Sequence, residues 1–148
     1  MNYEQARAYA VNVSRSGSIL GLDSIENLMH ELGDIQERLK IIHIAGTNGK
    51  GSTGAYLERV LIEAGYRVGR YSSPAVFDPM EVWRINLQSM SHEEYADIME
   101  QVKCACDRMV EKGMEHPTIF EVETAMAFLY FYQKKCDYVL LEVGMGGR

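Results

Sequence analysis

Residues Gly46-Thr47-Asn48-Gly49-Lys50-Gly51-Ser52 follow directly on the apolar run Ile41-Ile42-His43-Ile44-Ala45 and precede an amphipathic segment, an order that leaves few folds open. A short run rich in β-branched residues reads as a buried strand. From Ser52 to Ala64 the apolar positions Tyr56, Leu57, Val60, Leu61 and Ala64 recur at helical spacing. The order is strand, glycine loop, helix. Such a loop curls its backbone N–H groups around an anion, and the helix N-terminus adds the positive end of its dipole. Lys50 supplies a mobile charge for the outer phosphates. Residues Gly46, Thr47, Asn48, Gly49, Lys50, Gly51 and Ser52 therefore read as a nucleotide-phosphate cradle. It is a variant of the usual pattern, because Ile44 stands where the first glycine would be and Gly51 follows the lysine in place of Ser or Thr.

The rest of the chain fits an alternation of helices and strands. Asn2 with Gln5 and Asp23 with Glu26 have the spacing of N-cap and N3 pairs opening two helices, the second ending at Gly33. Arg67 to Tyr71 reads as a second strand and Glu81 to Asn86 as a short one. Ser91 with Glu94 opens a helix with the apolar stripe Tyr95, Ile98, Met99, Val102, Cys106 and Met109. Residues 122 to 132 are apolar nearly all round, which calls for a helix packed on more than one side. They lead into Asp137-Tyr138-Val139-Leu140-Leu141-Glu142-Val143, a buried strand with an acid near its C-terminal end. Alternation of this kind implies an α/β fold, a P-loop doubly wound, mostly parallel sheet with ligands beyond the carboxyl ends of its strands.

Glu142 is the second candidate for chemistry. An apolar strand ending in a carboxylate, in a chain with a phosphate loop, has the arrangement that reaches an Mg²⁺ bridging nucleotide phosphates. Mg²⁺ keeps most of its waters, so one or two protein oxygens suffice. Lys50 and Glu142 are thus the candidate catalytic residues, both expected to face a solvent-filled site. Gly144, Gly146 and Gly147 would allow close backbone approach to a ligand.

Composition narrows the partners. The 148 residues suit one domain of ordinary size, and a formal charge of −6 argues against a general nucleic-acid surface. No stretch approaches the roughly 20 apolar residues of a membrane span, and the first residues lack the basic start of a secretory signal, so a cytoplasmic location without membrane partners is expected. Cys104, Cys106 and Cys136 are odd in number and His30, His43, His92 and His116 are scattered. Reduced thiols are the reading, with no zinc site.

The segment Ile-His-Ile-Ala-Gly-Thr-Asn-Gly-Lys-Gly-Ser, residues 42 to 52, resembles the phosphate loop of folylpolyglutamate synthases and bifunctional dihydrofolate synthases, relatives of the Mur ligases. Further matches stand in the same order: Leu20-Gly21-Leu22-Asp23, Tyr71-Ser72-Ser73-Pro74, Thr118-Ile119-Phe120-Glu121 and the terminal Leu141-Glu142-Val143-Gly144-Met145-Gly146-Gly147-Arg148. The resemblance implies that residues 1–148 are the N-terminal ATP-binding domain of such an enzyme, truncated, with a C-terminal domain absent. It implies metal ligation by Ser73 beside Glu142, and a folate or pterin pocket lined by Ile19, Leu20, Thr118, Ile119, Phe120 and Glu121. Read locally, Thr118 to Glu121 is a helix start.

The implied activity is that of a tetrahydrofolate:L-glutamate γ-ligase. ATP, folate or dihydropteroate and L-glutamate would be its partners, Mg²⁺ its cofactor and an acyl phosphate its intermediate. The alternatives are a bifunctional dihydrofolate synthase and, from another class, a stand-alone P-loop nucleotide-binding module. Three positions depart from the family pattern: Ala75 replaces a histidine, Val82 an arginine, and Ile19 the acid of bifunctional members. The family's downstream histidine, modified lysine and closing domain have no counterpart in the chain. The full-length protein is expected to be monomeric. The 148 residues alone are expected to be inactive and prone to self-associate, with the faces of Val139, Leu141 and the 122–132 helix incompletely covered.

Overall fold

The computed structural model describes residues 1–15, 22–44, 50–73 and 77–143, and divides into two units, Met1–Glu37 with His92–Tyr130 and Arg38–Ser91 with Phe131–Arg148. Ile19, Leu20, Gly46 to Gly49, Pro74, Ala75 and the glycines after Val143 lie outside the described residues.

The first unit is helical. Helix α1 (Tyr3–Arg15) opens as its sequence requires: Gln5 N–H donates to Asn2 Oδ1 and Asn2 N–H to Gln5 Oε1, both at 2.8 Å. These bonds satisfy backbone donors that a helix start would otherwise leave without partners. Helix α2 (Leu22–Glu31) begins one residue ahead of Asp23. The two longer helices are α4 (His92–Glu111) and α5 (Ile119–Gln133). The stripe expected on α4, Tyr95, Ile98, Met99, Val102, Cys106 and Met109, is buried along its length, and α4 packs on α1 and α2. In α5 every residue from Ala125 to Phe131 is buried, which explains why its apolar residues show no single face. Glu31 ties α2 to the end of α4, accepting from Arg108 Nε at 3.0 Å and from Lys112.

The second unit holds a mixed sheet. Its strands are β1 (Ile41–Ile44), β2 (Val68–Ser73), β3 (Trp83–Ile85), β4 (Gln88–Ser89) and β5 (Tyr138–Val143), in the order β1-β5-β2-β3-β4. β5 runs parallel to both β1 and β2, whereas β2/β3 and β3/β4 are antiparallel. The expectation of a mostly parallel sheet is corrected accordingly, since β3 joins β2 and β4 joins β3 antiparallel. Between β3 and β4, Asn86 and Leu87 take left-handed backbone angles (φ 47° and 72°), which make a two-residue hairpin turn. Asn86 secures the turn against β2, its Oδ1 accepting from Val68 N–H at 2.8 Å. The strand expected from Glu81 to Asn86 starts later for a local reason. Asp78 and Glu81 form a reciprocal cap on a short 3-10 turn, Pro79–Val82, and β3 follows it.

Helix α3 (Lys50–Glu63) packs on β1, β2 and β5, with Leu57, Leu61 and Ile62 against a cluster of Ile44, Val68 and Leu140. β5 lies inside the sheet, flanked by β1 and β2. Val139 is fully buried and Leu141 nearly so, which overturns the expectation that these faces and α5 stand incompletely covered. Beside β5, the ring of the buried Phe131 crosses directly over Gly69. A Cβ there would lie 2.5 Å from Phe131 Cδ1, closer than any real contact.

Two outcomes follow. Gly69→Ala overpacks this contact and is expected to cost about 1–3 kcal/mol of stability, read by urea unfolding. In the helical unit, burial pushes the Glu123 carboxyl up to about 7 against the opposing pull of Arg7. The folded carboxyl thus holds a proton that the unfolded chain releases above about 4.5, so stability is expected to fall as pH rises from that value through 7. Glu123→Gln is expected to flatten that slope in a pH series of thermal melts.

Candidate functional site

Three neighbouring parallel strands end together. Ile44 at the end of β1 pairs with Glu142 of β5, and Glu142 pairs with Ser72 of β2. The connection from β1 enters α3 at Lys50, two residues earlier than the apolar periodicity indicates, so Lys50, Gly51 and Ser52 belong to the helix's first turn. Those first N–H groups have no intrahelical acceptor, and the turn carries no acidic residue to satisfy the dipole. A helix start of this kind, following the first of the three strands, suits an anion.

Glu142 does not face open solvent, as the sequence reading had it. It is 4 % exposed, and one of its oxygens, Oε1, accepts from Arg70 Nη2 and from Ser72 Oγ, the latter at 3.2 Å. Arg70 is itself buried, and its Nη1 donates to Oε1 of the buried Glu58 on α3 at 2.9 Å. Arg84 Nη2 reaches the same Glu58 oxygen at 3.3 Å. The result is a continuous chain, Arg84–Glu58–Arg70–Glu142–Ser72, of two cations and two anions. Burial works against the Arg70 cation, and the Glu142 and Glu58 carboxylates more than offset it, leaving the guanidinium more firmly protonated than usual. Arg70 and Arg84 are register partners on β2 and β3. Like charges directly opposite repel, and the shared Glu58 oxygen relieves that repulsion.

The second oxygen of Glu142, Oε2, is buried and has no hydrogen-bond partner among the described residues. A buried carboxylate oxygen without a donor is costly unless something outside these residues completes it. A hard cation suits such an oxygen, and Mg²⁺ needs few protein ligands because it retains waters and takes phosphate oxygens. Among the described residues no group of three or more His, Cys, Asp or Glu is placed to hold a metal, so any site here is of that sparse kind. Cys104, Cys106 and Cys136 are free thiols, and burial pushes Cys106 and Cys136 up to about 12. No described helix is long and apolar enough to cross a membrane.

No protein-family model matches the chain. It is 38% identical over 147 residues to the dihydrofolate synthase/folylpolyglutamate synthase of Bacillus subtilis, which covers 99% of this chain and 34% of that protein. The apo form of L. casei folylpolyglutamate synthase superposes with a TM-score of 0.90 at 32% identity, over 99% of this chain and 36% of that one. The chain is a relative of the folylpolyglutamate and dihydrofolate synthases. A bifunctional folylpolyglutamate synthase/dihydrofolate synthase solved with Mn, AMPPNP and L-glutamate bound matches at a TM-score of 0.82 and 37% identity, over 96% of this chain and 34% of that one. The chain spans about a third of the length of these relatives.

The residues that the folylpolyglutamate synthase resemblance singles out fall in two places. Ser73 and Glu142 lie at the ends of β2 and β5, and Lys50, Gly51 and Ser52 in the first turn of α3, all in the sheet unit. Ser73 ends β2 one residue beyond Ser72, whose Oγ is the hydroxyl that bonds Glu142. Thr118 and Glu121 lie in the helical unit and are buried, each occupied by the other: Glu121 N–H donates to Thr118 Oγ1 at 3.2 Å and Thr118 N–H to Glu121 Oε1 at 2.9 Å. Next to them, Ile119 is partly covered and Phe120 is exposed.

Sequence reasoning missed Glu58, Arg70, Ser72 and Arg84. The signal was present in two of them, an arginine between the buried Val68 and Tyr71 of a strand and a glutamate between Leu57 and Leu61 on the buried face of α3. Since Glu142 is a buried partner of Arg70, Glu142→Gln is expected to destabilise the ligand-free protein by about 1–3 kcal/mol, measured by denaturant unfolding.

Proposed function

We propose that this chain is the N-terminal nucleotide-binding part, residues 1–148, of an ATP-dependent ligase that adds L-glutamate to a folate. Within that reading its sheet and loop form a P-loop, doubly wound domain completed by a further C-terminal domain. The observation that carries the proposal is the position of the Glu142 carboxylate. It stands at the strand ends beside the strand that feeds α3, with one oxygen fixed and the other lacking a donor among the described residues. The names of the B. subtilis and L. casei relatives, and the Mn, AMPPNP and L-glutamate of the bifunctional relative, support this chemistry.

In this reading the amides of Gly46 to Ser52 and the Lys50 ammonium hold the β- and γ-phosphates. They neutralise charge that spreads over the transferring group, which is where most phosphoryl-transfer catalysis lies. Glu142 and Ser73 are the residues that would hold Mg²⁺, which when bound would offset the charge of the phosphates. The γ-phosphoryl group passes to a folate carboxylate with release of ADP. The amino group of L-glutamate then attacks the acyl carbon, an amide bond forms, and inorganic phosphate leaves. The related activity, attaching glutamate to dihydropteroate, is a second reading, favoured by the dihydrofolate synthase activity in the name of the B. subtilis relative.

ADP release by the full-length protein is the test, measured with and without L-glutamate on tetrahydrofolate and on dihydropteroate. Glutamate-dependent release with the first alone identifies a folylpolyglutamate synthase, and with both a bifunctional enzyme. No release with either overturns the proposal. Lys50→Ala is expected to weaken nucleotide affinity by about tenfold or more, since a charge-assisted phosphate contact is worth roughly 1.5–3 kcal/mol; isothermal titration with AMPPNP checks it.

A further inference from the structure

Arg70 is held from three sides. Its guanidinium donates to Glu58 on α3 and to Glu142 on β5, and it lies close under α3 at Gly54, where a Cβ would stand 3.0 Å from Arg70 Nη2 and 3.1 Å from Ile44 Cδ1. Gly54 and Glu58 are four residues apart and so lie on one face of the helix. One provides room for the guanidinium and the other its anchor. A glycine inside a helix costs roughly 1 kcal/mol relative to alanine, and here the cost coincides with the one place where the helix backbone meets the arginine.

The consequence falls on Glu142. A glutamate side chain has three rotatable bonds, and a carboxylate that must meet a cation in one orientation loses that freedom on binding. Here Arg70 and Ser72 occupy the same oxygen, Oε1, and leave Oε2 as the atom without a hydrogen-bond partner among the described residues. Glu58 Oε2, Arg70 Nε and Arg84 Nε are likewise unpartnered among them, while Glu58 Oε1 takes an N–H from each guanidinium and Glu142 receives a single N–H donor from Arg70.

We propose that Arg70, anchored by Glu58 and accommodated by Gly54, is a positioning residue that fixes one oxygen of Glu142 so that the other is presented to a divalent cation. The inference rests on the reading of Glu142 as a metal ligand. Arg70 touches neither nucleotide nor cation, and it acts through the carboxylate it holds. Partners of this kind commonly contribute 10–100-fold to metal affinity.

The test uses Mn²⁺ as the probe, titrated by electron paramagnetic resonance into the full-length protein with AMPPNP. Arg70→Met, near in size and without charge, is expected to weaken Mn²⁺ binding about tenfold or more, while AMPPNP affinity measured in the absence of any divalent ion stays within twofold. Arg70→Lys is expected to recover part of the loss. Glu58→Gln is expected to weaken Mn²⁺ binding when Arg70 is present and to have no further effect in the Arg70→Met background. Thermal melts fix a temperature at which every variant compared is folded. Should Arg70→Met fail to fold, Glu58→Gln and Gly54→Ala decide, both expected to shift Mn²⁺ affinity in the same direction.

Unchanged Mn²⁺ affinity in the folded variants would overturn the positioning role alone. No Mn²⁺ binding by the unsubstituted protein would overturn the metal-site reading and the proposal with it. Equal losses of Mn²⁺ and metal-free nucleotide affinity would show a general structural defect and also overturn the proposal.

Discussion

A guanidinium buried between two carboxylates governs the sheet unit. Arg70 could not be placed beneath α3 without Glu58 and Glu142, because an isolated buried charge is far too costly to keep. Neither carboxylate could be buried there without Arg70. The interaction therefore fixes several things at once: the rotation of α3 about its axis, which must turn Gly54 and Glu58 toward the sheet, and the register of β2 against β5, which must bring Arg70 and Ser72 to Glu142. Shifting β2 by one residue would send Arg70 to the opposite face. Apolar packing by Ile44, Val68, Leu140 and Leu57 would tolerate more than one arrangement, whereas the ion chain tolerates one.

That division of labour explains what was legible beforehand. The strand–loop–helix order, the two long helices and the final acidic strand could be read because each follows a local rule of periodicity or capping. Asn2 with Gln5 and the α4 stripe obeyed those rules without interference. The β3/β4 hairpin was hidden because it depends on a turn at Asn86-Leu87, and a leucine with positive φ carries no turn signature. At the site, Lys50 and Glu142 stood out by position in their elements. The partners of Glu142 did not, since pairing Arg70 with Glu58 requires knowing which face of α3 meets which strand, and no spacing along the chain encodes it.

The burial of Glu142 also changes how such a site should be understood. A carboxylate waiting at the mouth of a wet cleft would be free to swing. This one is already part of the core, and its remaining freedom is a single oxygen. In the proposed reading, preorganisation of that sort exchanges stability in the empty protein for a smaller ordering cost when a cation arrives. It would also join the cation site to α3 through Arg70 and Glu58, so that the elements proposed for phosphate and for cation share one support.

The place of β5 has a consequence for how the molecule assembles. Among the described strands it comes last in sequence yet lies between β1 and β2, pairing Ile41 with Val139 and Val68 with Tyr138. As the chain leaves the ribosome, β1 and β2 emerge without the strand that unites them, and the whole helical stretch from His92 is made before it arrives. Pairings between segments so distant in sequence are slow to form and leave strand edges open meanwhile. The nascent protein therefore passes through a period in which its parallel sheet has no centre, and Arg70 and Glu58 must wait for the carboxylate that completes their chain.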